Sequence, residues 1–504
     1  MYNHLKLTIG VVKVVQRMLM KRSNKIFPFH IFRAYDIRGK VEQMDGEVIY
    51  AIAHALVQQY KTQGQSEIVI GYDARLSSPY FAKIIEDVFR TQNFKVKTLD
   101  CCSTPQMYFA ARETQGNGIM VTASHNPISD NGIKWIVQFE PPCPDKIQQV
   151  AQDANQFIKN QKDPFKVQTE LIFDVKKSQY NHVINLELCQ SYQKAMLEDI
   201  QLKRPFKVVL DGLNGSAGAC AALVLKKMGC EVIALRCQAN GHFPDHAPDP
   251  SQSAHLGKMK QQIMLHQADL GIALDGDGDR VVLMDETGKI ISADRLLSLF
   301  AQMCLQSHPG QEIVFDVKCS TMVGQIIKKM GGKPHMLRTG SSFLRQYLRK
   351  SKGRAVFGGE YAGHYVFNDG RGFGYDDGLY AALRVMEYLS EKPSQSLSQL
   401  MSAFPERFYT EDTYISTHNT NPQAVLQEIE RRGNSCDAEL SKIDGIRLDF
   451  KNGFGIIRAS NTGEFFTVRF DADHPTHLNN IRQTFASMLS DRYPMIAQDI
   501  LLAH

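Results

Sequence analysis

Phe206-Lys207-Val208-Val209-Leu210-Asp211 is the stretch whose reading decides the fold. Its apolar run is too short for a helix and runs into the glycines at Gly212 and Gly215, so it reads as a strand ending in a turn. A helical pattern follows over residues 217–228, and residues 230–235 read as the next strand. Strand, helix and strand in that order form a βαβ unit. The cycle recurs outward from it. Residues 67–71, 270–274 and 312–317 read as further strands, the last followed by a helical pattern over 322–330. The fold class is therefore α/β, with mixed or parallel sheets. Polar or helical connectors lie near 176–190, 286–292 and 403–410. Beyond Phe404 the pattern changes to a β-rich 407–417, a helical 422–432 and strands around 445–450 and 465–470, which reads as a smaller α+β section. No short-period repeat is visible, but the recurring cycle leaves open a domain-sized duplication.

The bulk numbers exclude several classes. With 504 residues, 43% hydrophobic and 22% charged, the composition is globular and long enough for about three or four domains. The 58 basic and 53 acidic residues leave a formal charge of +5, too balanced for a polyanion-binding surface, so no nucleic-acid partner is expected. The 10 cysteines form no Cys-x-x-Cys pair and no spaced metal set, and are expected to be reduced thiols in a cytoplasmic protein. Residues 5–19 are apolar but carry Lys6, Lys13 and Arg17, so no membrane span is expected there. Residues 1–27 read as an extension, or as the result of an upstream start with Met18 or Met20 the real one. The spacing of Val11, Val14, Val15 and Met18 offers a surface helix as the alternative.

Four loops carry chemistry. Thr122-Ala123-Ser124-His125-Asn126-Pro127 follows the apolar run 118–121, so Ser124 is expected on an exposed turn at a strand's end, where α/β folds place ligands. A serine hydroxyl beside a histidine suits a nucleophile, although alone the segment reads as a plain turn. Asp275-Gly276-Asp277-Gly278-Asp279-Arg280 sets three carboxylates at alternate positions with glycines between, which lets all three face one hard cation. Two facts oppose the rival EF-hand reading: Arg280 occupies the position that needs glycine, and the flanks read as strands; a structural turn rich in aspartates is the other alternative. Gly358-Gly359-Glu360-Tyr361-Ala362-Gly363-His364 flanks an acceptor with glycines, as a loop approaching sugar hydroxyls requires. Arg458-Ala459-Ser460-Asn461-Thr462-Gly463 clusters donors without an acidic residue, which suits a phosphate dianion.

In order and spacing these loops resemble the α-D-phosphohexomutases, in particular their bacterial phosphomannomutase/phosphoglucomutase group. The resemblance runs from about Ile31 to the C-terminal region. It includes residues 32–39 and 240–250, Phe315-Asp316-Val317-Lys318-Cys319 and Asp376-Asp377-Gly378. It implies a monomer of four domains around a central cleft, three similar α/β domains and a C-terminal α+β domain, here expected at residues 28–185, 186–289, 290–403 and 404–504. It implies that Ser124 is a phosphoserine and that Asp275, Asp277 and Asp279 hold Mg²⁺ together with a Ser124 phosphoryl oxygen. Arg38, His125, Lys134 and Arg280 would line the reacting centre. Glu360, Gly340, Ser341 and His364 would meet the sugar, and Arg458, Ser460, Asn461 and Thr462, with Tyr35 and Lys318 nearby, would clamp the phosphate that is not reacting. The implied activity interconverts hexose 1- and 6-phosphates of mannose and glucose, with glucose 1,6-bisphosphate or mannose 1,6-bisphosphate as activator.

Three positions depart from the group's pattern. Ser341 stands where many relatives have a histidine, Ala362 where they have a serine and Glu464 where proline is common. Without that histidine, His125 or a Lys134 of lowered pKa remains as acid or base. Losing the serine hydroxyl at 362 removes a sugar contact of about 0.5–1.5 kcal/mol. A carboxylate at 464 is tolerable only if it points to solvent. The alternatives are a phosphoglucosamine mutase, a sugar-bisphosphate phosphatase and a non-catalytic sugar-phosphate-binding relative.

Overall fold

A computed structural model describes residues 26–160, 185–460 and 463–503. The readings made on residues 5–19, on residues 176–184 of the first connector, and on Asn461 and Thr462 lie outside the described residues.

Three sheets repeat one topology. The first contains β1 (Ile37–Lys40), β2 (Glu67–Tyr72), β3 (Lys95–Cys101), β4 (Gly118–Val121) and β5 (Asp130–Ile136), in the order β1-β5-β4-β2-β3. The second is β6 (Lys207–Asp211), β7 (Glu231–Leu235), β8 (Leu270–Leu274) and β9 (Val281–Asp285), in the order β7-β6-β8-β9. The third is β10 (Glu312–Asp316), β11 (Lys333–Leu337), β12 (Ala355–Gly359) and β13 (Tyr365–Phe367), in the order β11-β10-β12-β13. In each, one strand pairs in parallel with the next two, and the later of these pairs antiparallel with the strand that follows it. Helices Ser78–Thr91, Gly218–Lys227 and Thr321–Lys329 make the parallel crossovers. The recurring cycle of the sequence is thus one architecture used three times.

β4, β8 and β12 are buried along their whole length, as the runs Gly-Ile-Met-Val, Leu-Gly-Ile-Ala-Leu and Ala-Val-Phe-Gly-Gly require of strands covered on both faces. Each ends in the loop that carries its sheet's chemistry: Ser124 after β4, the aspartates after β8 and Glu360 after β12. Equivalent ends of equivalent strands therefore supply the site. One apolar cluster runs through the second and third sheets, from Phe206 and Leu210 to Phe357 and Tyr365.

The C-terminal sheet is wholly antiparallel. It comprises β14 (Phe408–Tyr409), β15 (Thr413–Ser416), β16 (Glu439–Ser441), β17 (Ile446–Phe450), β18 (Gly453–Ala459) and β19 (Phe465–Ala472), ordered β14-β19-β18-β17-β16 with β15 also on β19. Two buried arginines join it to the third sheet. Arg447 donates to the carbonyls of Val317 (2.5 Å) and Cys319 (2.7 Å), and Arg469 donates to the Lys318 carbonyl and to Asp294 (2.9 Å).

Two expectations are corrected. Cys189 and Cys220 form a disulfide between helices Leu186–Asp199 and Gly218–Lys227, so not all the thiols are reduced; helix packing brings these two together while the other eight remain free. Ser124 is fully buried rather than on an exposed turn, because the aspartate loop lies over it. Among the described residues no helix is long and apolar enough to cross a membrane.

Candidate active site

The Ser124 turn is held from beneath. Arg75, itself buried, donates to the carbonyls of Ser124 (2.8 Å), Asn126 (2.6 Å), Pro127 (2.6 Å) and Asp130 (2.9 Å). Asp73 orients Arg75 at 3.1 Å and also accepts from the Thr122 hydroxyl at 2.7 Å. Thr122 in turn accepts the Ser124 N–H at 2.8 Å. Ser124 sits at φ 52°, left-handed for a residue with a side chain, the kind of strain that surrounding bonds must fix. Its hydroxyl donates to Asp275 at 2.6 Å and lies 3.2 Å from His125 Nδ1. A Cβ on Gly276 would come within 2.3 Å of the Ser124 carbonyl oxygen, so only glycine lets the two loops touch.

Asp275, Asp277 and Asp279 are buried, each presenting an oxygen within 4.8 Å of the others. Burial, then repulsion from Asp279 and Asp277, pushes Asp275 well above the usual carboxylate range. Lys134 answers part of that charge, at 2.7 Å from Asp277 and 2.5 Å from Asp279. Burial works against the Lys134 ammonium, but the two carboxylates outweigh it and raise its pKa. The expectation of a lowered Lys134 pKa is therefore corrected. Oδ1 of Asp277 and Oδ1 of Asp279 are buried without a hydrogen-bond partner. Three crowded carboxylates with unused oxygens beside a serine hydroxyl fit a hard divalent cation. Thr104 supports the loop, its hydroxyl 2.5 Å from Asp277 Oδ2 and its N–H on the Asp277 carbonyl at 2.8 Å. It sits in the first turn of helix Thr104–Ala110, whose Ser103–Gln106 capping box fixes that end.

Arg38, His125, Lys134 and Arg280 converge on this end of a cleft of about 280 Å³. Arg38 pairs with Asp36 at 2.6 Å and reaches Asn126 at 3.0 Å. Burial, followed by the charges of Arg280 and Arg38, holds His125 well below the usual imidazole range. Arg280 Nε donates to His364 Nε2 at 2.9 Å, and His364 Nδ1 lies 2.8 Å from Asp376. Glu360 is buried and accepts the Gly340 N–H at 2.5 Å; burial, then the Asp316 charge, raises its pKa. Gly340 holds φ 137°, open only to glycine, and Ser341 begins helix Ser341–Lys350 beside it. Ala362 and Tyr35 also line the cleft.

Lys318 and Arg458 line the same cleft. Lys318 lies 2.5 Å from Asp412, and Arg458 lies 2.7 Å from Asp444. The Ser460 hydroxyl accepts the Gly463 N–H at 3.1 Å and Glu464 is exposed, as a carboxylate there requires. The structure adds Tyr108, Asp249, Arg345 and Asp412 to the lining, and Arg75 and Thr104 to its support. Asp249 falls in the 240–250 segment the sequence singled out, but Arg75 and Arg345 leave no pattern there.

Comparison with known proteins settles the family. Models of the phosphoglucomutase/phosphomannomutase α/β/α domains I, II and III match residues 30–160, 190–288 and 292–408. The chain belongs to the α-D-phosphohexomutases. This phosphohexomutase is 35% identical over 464 residues to the phosphomannomutase/phosphoglucomutase of Pseudomonas putida, covering 92% of this chain and 96% of that one. It is 34% identical to the phosphoglucomutase of Neisseria meningitidis, over 92% of this chain and 98% of that one. A crystal structure of a phosphoglucomutase/phosphomannomutase family protein from Burkholderia thailandensis superposes with a TM-score of 0.79 at 30% identity, covering 93% of this chain and 99% of that one. The resemblance seen in the motifs is thus a family membership, and the family's enzymes are isomerases.

Proposed function

We propose that this phosphohexomutase interconverts the 1- and 6-phosphates of mannose and glucose through a phosphorylated Ser124 and a hexose 1,6-bisphosphate. The observation that carries the reading is the Ser124 hydroxyl, 2.6 Å from one of three clustered aspartates and 3.2 Å from His125, which lines a cleft that Lys318 and Arg458 line as well. A hexose phosphate held by Lys318 and Arg458 would bring its free hydroxyl to Ser124. The hydroxyl oxygen then bonds to the phosphorus as the bond from phosphorus to Ser124 Oγ breaks. The hydroxyl proton goes to a neighbouring base, and the bisphosphate turns end for end to return its other phosphoryl group to Ser124.

Asp275, Asp277 and Asp279 with an oxygen on Ser124 would hold Mg²⁺, which supplies positive charge against the transferring phosphoryl oxygens. The chain's own residues do the rest. Arg38 and Arg280 offset the remaining charge, and His364, fixed by Asp376, aims Arg280. His125, 3.2 Å from the Ser124 oxygen, stands where a proton must be taken or returned, and Lys134 neutralises Asp277 and Asp279. Glu360, anchored by the Gly340 N–H, reads the sugar hydroxyls, while Lys318, Arg458, Ser460, Asn461 and Thr462 hold the phosphate that is not reacting. Glucose 1,6-bisphosphate would activate by phosphorylating Ser124. The domains are assigned as 28–185, 186–289, 290–403 and 404–504, after an extension at 1–27, and the chain is assigned as a cytoplasmic monomer.

Mg²⁺-loaded protein with a trace of glucose 1,6-bisphosphate should convert mannose 1-phosphate and glucose 1-phosphate to their 6-phosphates. Failure with both sugars sinks the reading, and steady release of inorganic phosphate would favour a phosphatase. Ser124→Ala should abolish turnover with the fold intact by circular dichroism.

A further inference from the structure

Lys318 and Arg458, which both line the cleft, are already neutralised by carboxylates of the C-terminal segment. Arg458 lies on Asp444, which also accepts the Thr339 N–H at 3.1 Å and so has a structural duty as well. Asp412 is different. Among the described residues its side chain makes a single hydrogen bond, Oδ2 to Lys318 Nζ at 2.5 Å, and its Oδ1 is buried without a partner. Lys318 is 6% exposed, lies 5.6 Å from the Tyr361 ring centroid and has its main-chain carbonyl fixed by Arg469. Asp412 therefore occupies the place where an incoming phosphate would meet the ammonium. Phosphate must share or displace it, and the buried Oδ1 adds a second uncompensated acceptor beside the incoming anion.

We propose that Asp412 is a built-in counter-charge that weakens the hold of Lys318 on the substrate's non-reacting phosphate, so that the bisphosphate can leave Lys318 and turn. This rests on Lys318 and Arg458 being part of the phosphate clamp of the proposed function, and it makes Asp412 a positioning residue acting through Lys318. A clamp that gripped a dianion with its full charge would bind the intermediate tightly and turn it slowly. An internal carboxylate gives up affinity for exchange, since binding that is equal in ground and transition states does not raise turnover.

The test is the affinity of the Mg²⁺-loaded full chain for glucose 6-phosphate, by titration calorimetry, in wild type, Asp412→Asn, Lys318→Met and the double variant. The isosteric Asp412→Asn should tighten binding about tenfold, lower KM and lower kcat. Loss of packing alone would raise KM. In the Lys318→Met background the same change should have no effect. Binding that is unchanged or weaker in Asp412→Asn overturns the proposal, as does equal tightening without Lys318. If wild type binds glucose 6-phosphate but Asp412→Asn does not bind it more tightly, only this inference fails; if wild type does not bind it, the proposed function fails with it.

Discussion

Arg75 shows how much of the site hangs on a residue that touches no substrate. Its guanidinium gathers four carbonyls of the Ser124 turn and is itself held by Asp73, and both side chains are buried. Arg75→Ala removes the only cation beside buried Asp73 among the described ion pairs, so unfolding in urea should show a loss of about 3–5 kcal/mol. Any folded fraction should turn over poorly, because Ser124 loses its strained φ. Ser124, the three aspartates and Glu360 were legible in the sequence because small, polar and glycine-rich loops have few other reasons to look that way. Arg75 and Thr104 were not, since a side chain that bonds to main-chain carbonyls or to a distant carboxylate leaves no spacing to read. Lys134 was found, but the sign of its pKa shift depends on Asp277 and Asp279, more than 140 positions away by hydrogen bond.

At the scale of elements, the site is assembled from equivalent loops. β4, β8 and β12 each end in a loop that turns back into an antiparallel strand, and those loops carry the serine, the aspartates and the glutamate. The apolar runs made the strands legible, and the structure begins or ends most of them within a residue or two of the sequence reading. Their order within the sheets was not legible, because strand pairing is a long-range property. Nor was the contact of two loops at Gly276. Gly276→Ala would drive a Cβ into the Ser124 carbonyl, a main-chain atom with nowhere to go. It should cost about 1–3 kcal/mol in thermal unfolding. It should also reduce kcat by more than about tenfold, since misplacing Ser124 separates it from Asp275. Wild-type kcat in Gly276→Ala would show that the two loops need not touch.

The whole molecule carries a pH signature apart from the chemistry. Asp377 caps helix Gly378–Ser390 and accepts the hydroxyl of Tyr192, on helix Leu186–Asp199, at 2.7 Å, and burial pushes it up to about 7. Folded, it keeps its proton to about pH 7; unfolded, it loses it near about 3.9. The folded state thus binds the extra proton between these values, and stability falls as pH rises through that window, by on the order of 4 kcal/mol. Asp377→Asn should flatten this slope in urea titrations from pH 5 to 8, and an unchanged slope would assign it elsewhere. The duplication that the sequence left open is resolved only at this scale, where three sheets show one strand order. The disulfide between Cys189 and Cys220 was equally invisible, since pairing depends on two cysteines 31 positions apart being brought together by the packing of their helices.

The central claim is that Ser124 carries the phosphoryl group. Incubating the Mg²⁺-loaded chain with glucose 1,6-bisphosphate labelled with ¹⁸O in its phosphates, and mapping the peptides by mass spectrometry, tests it directly. The account predicts a labelled phosphate on Ser124 that a chase of unlabelled mannose 1-phosphate carries away as bisphosphate. A Ser124 that stays unmodified, or a label resting on another residue, would contradict it.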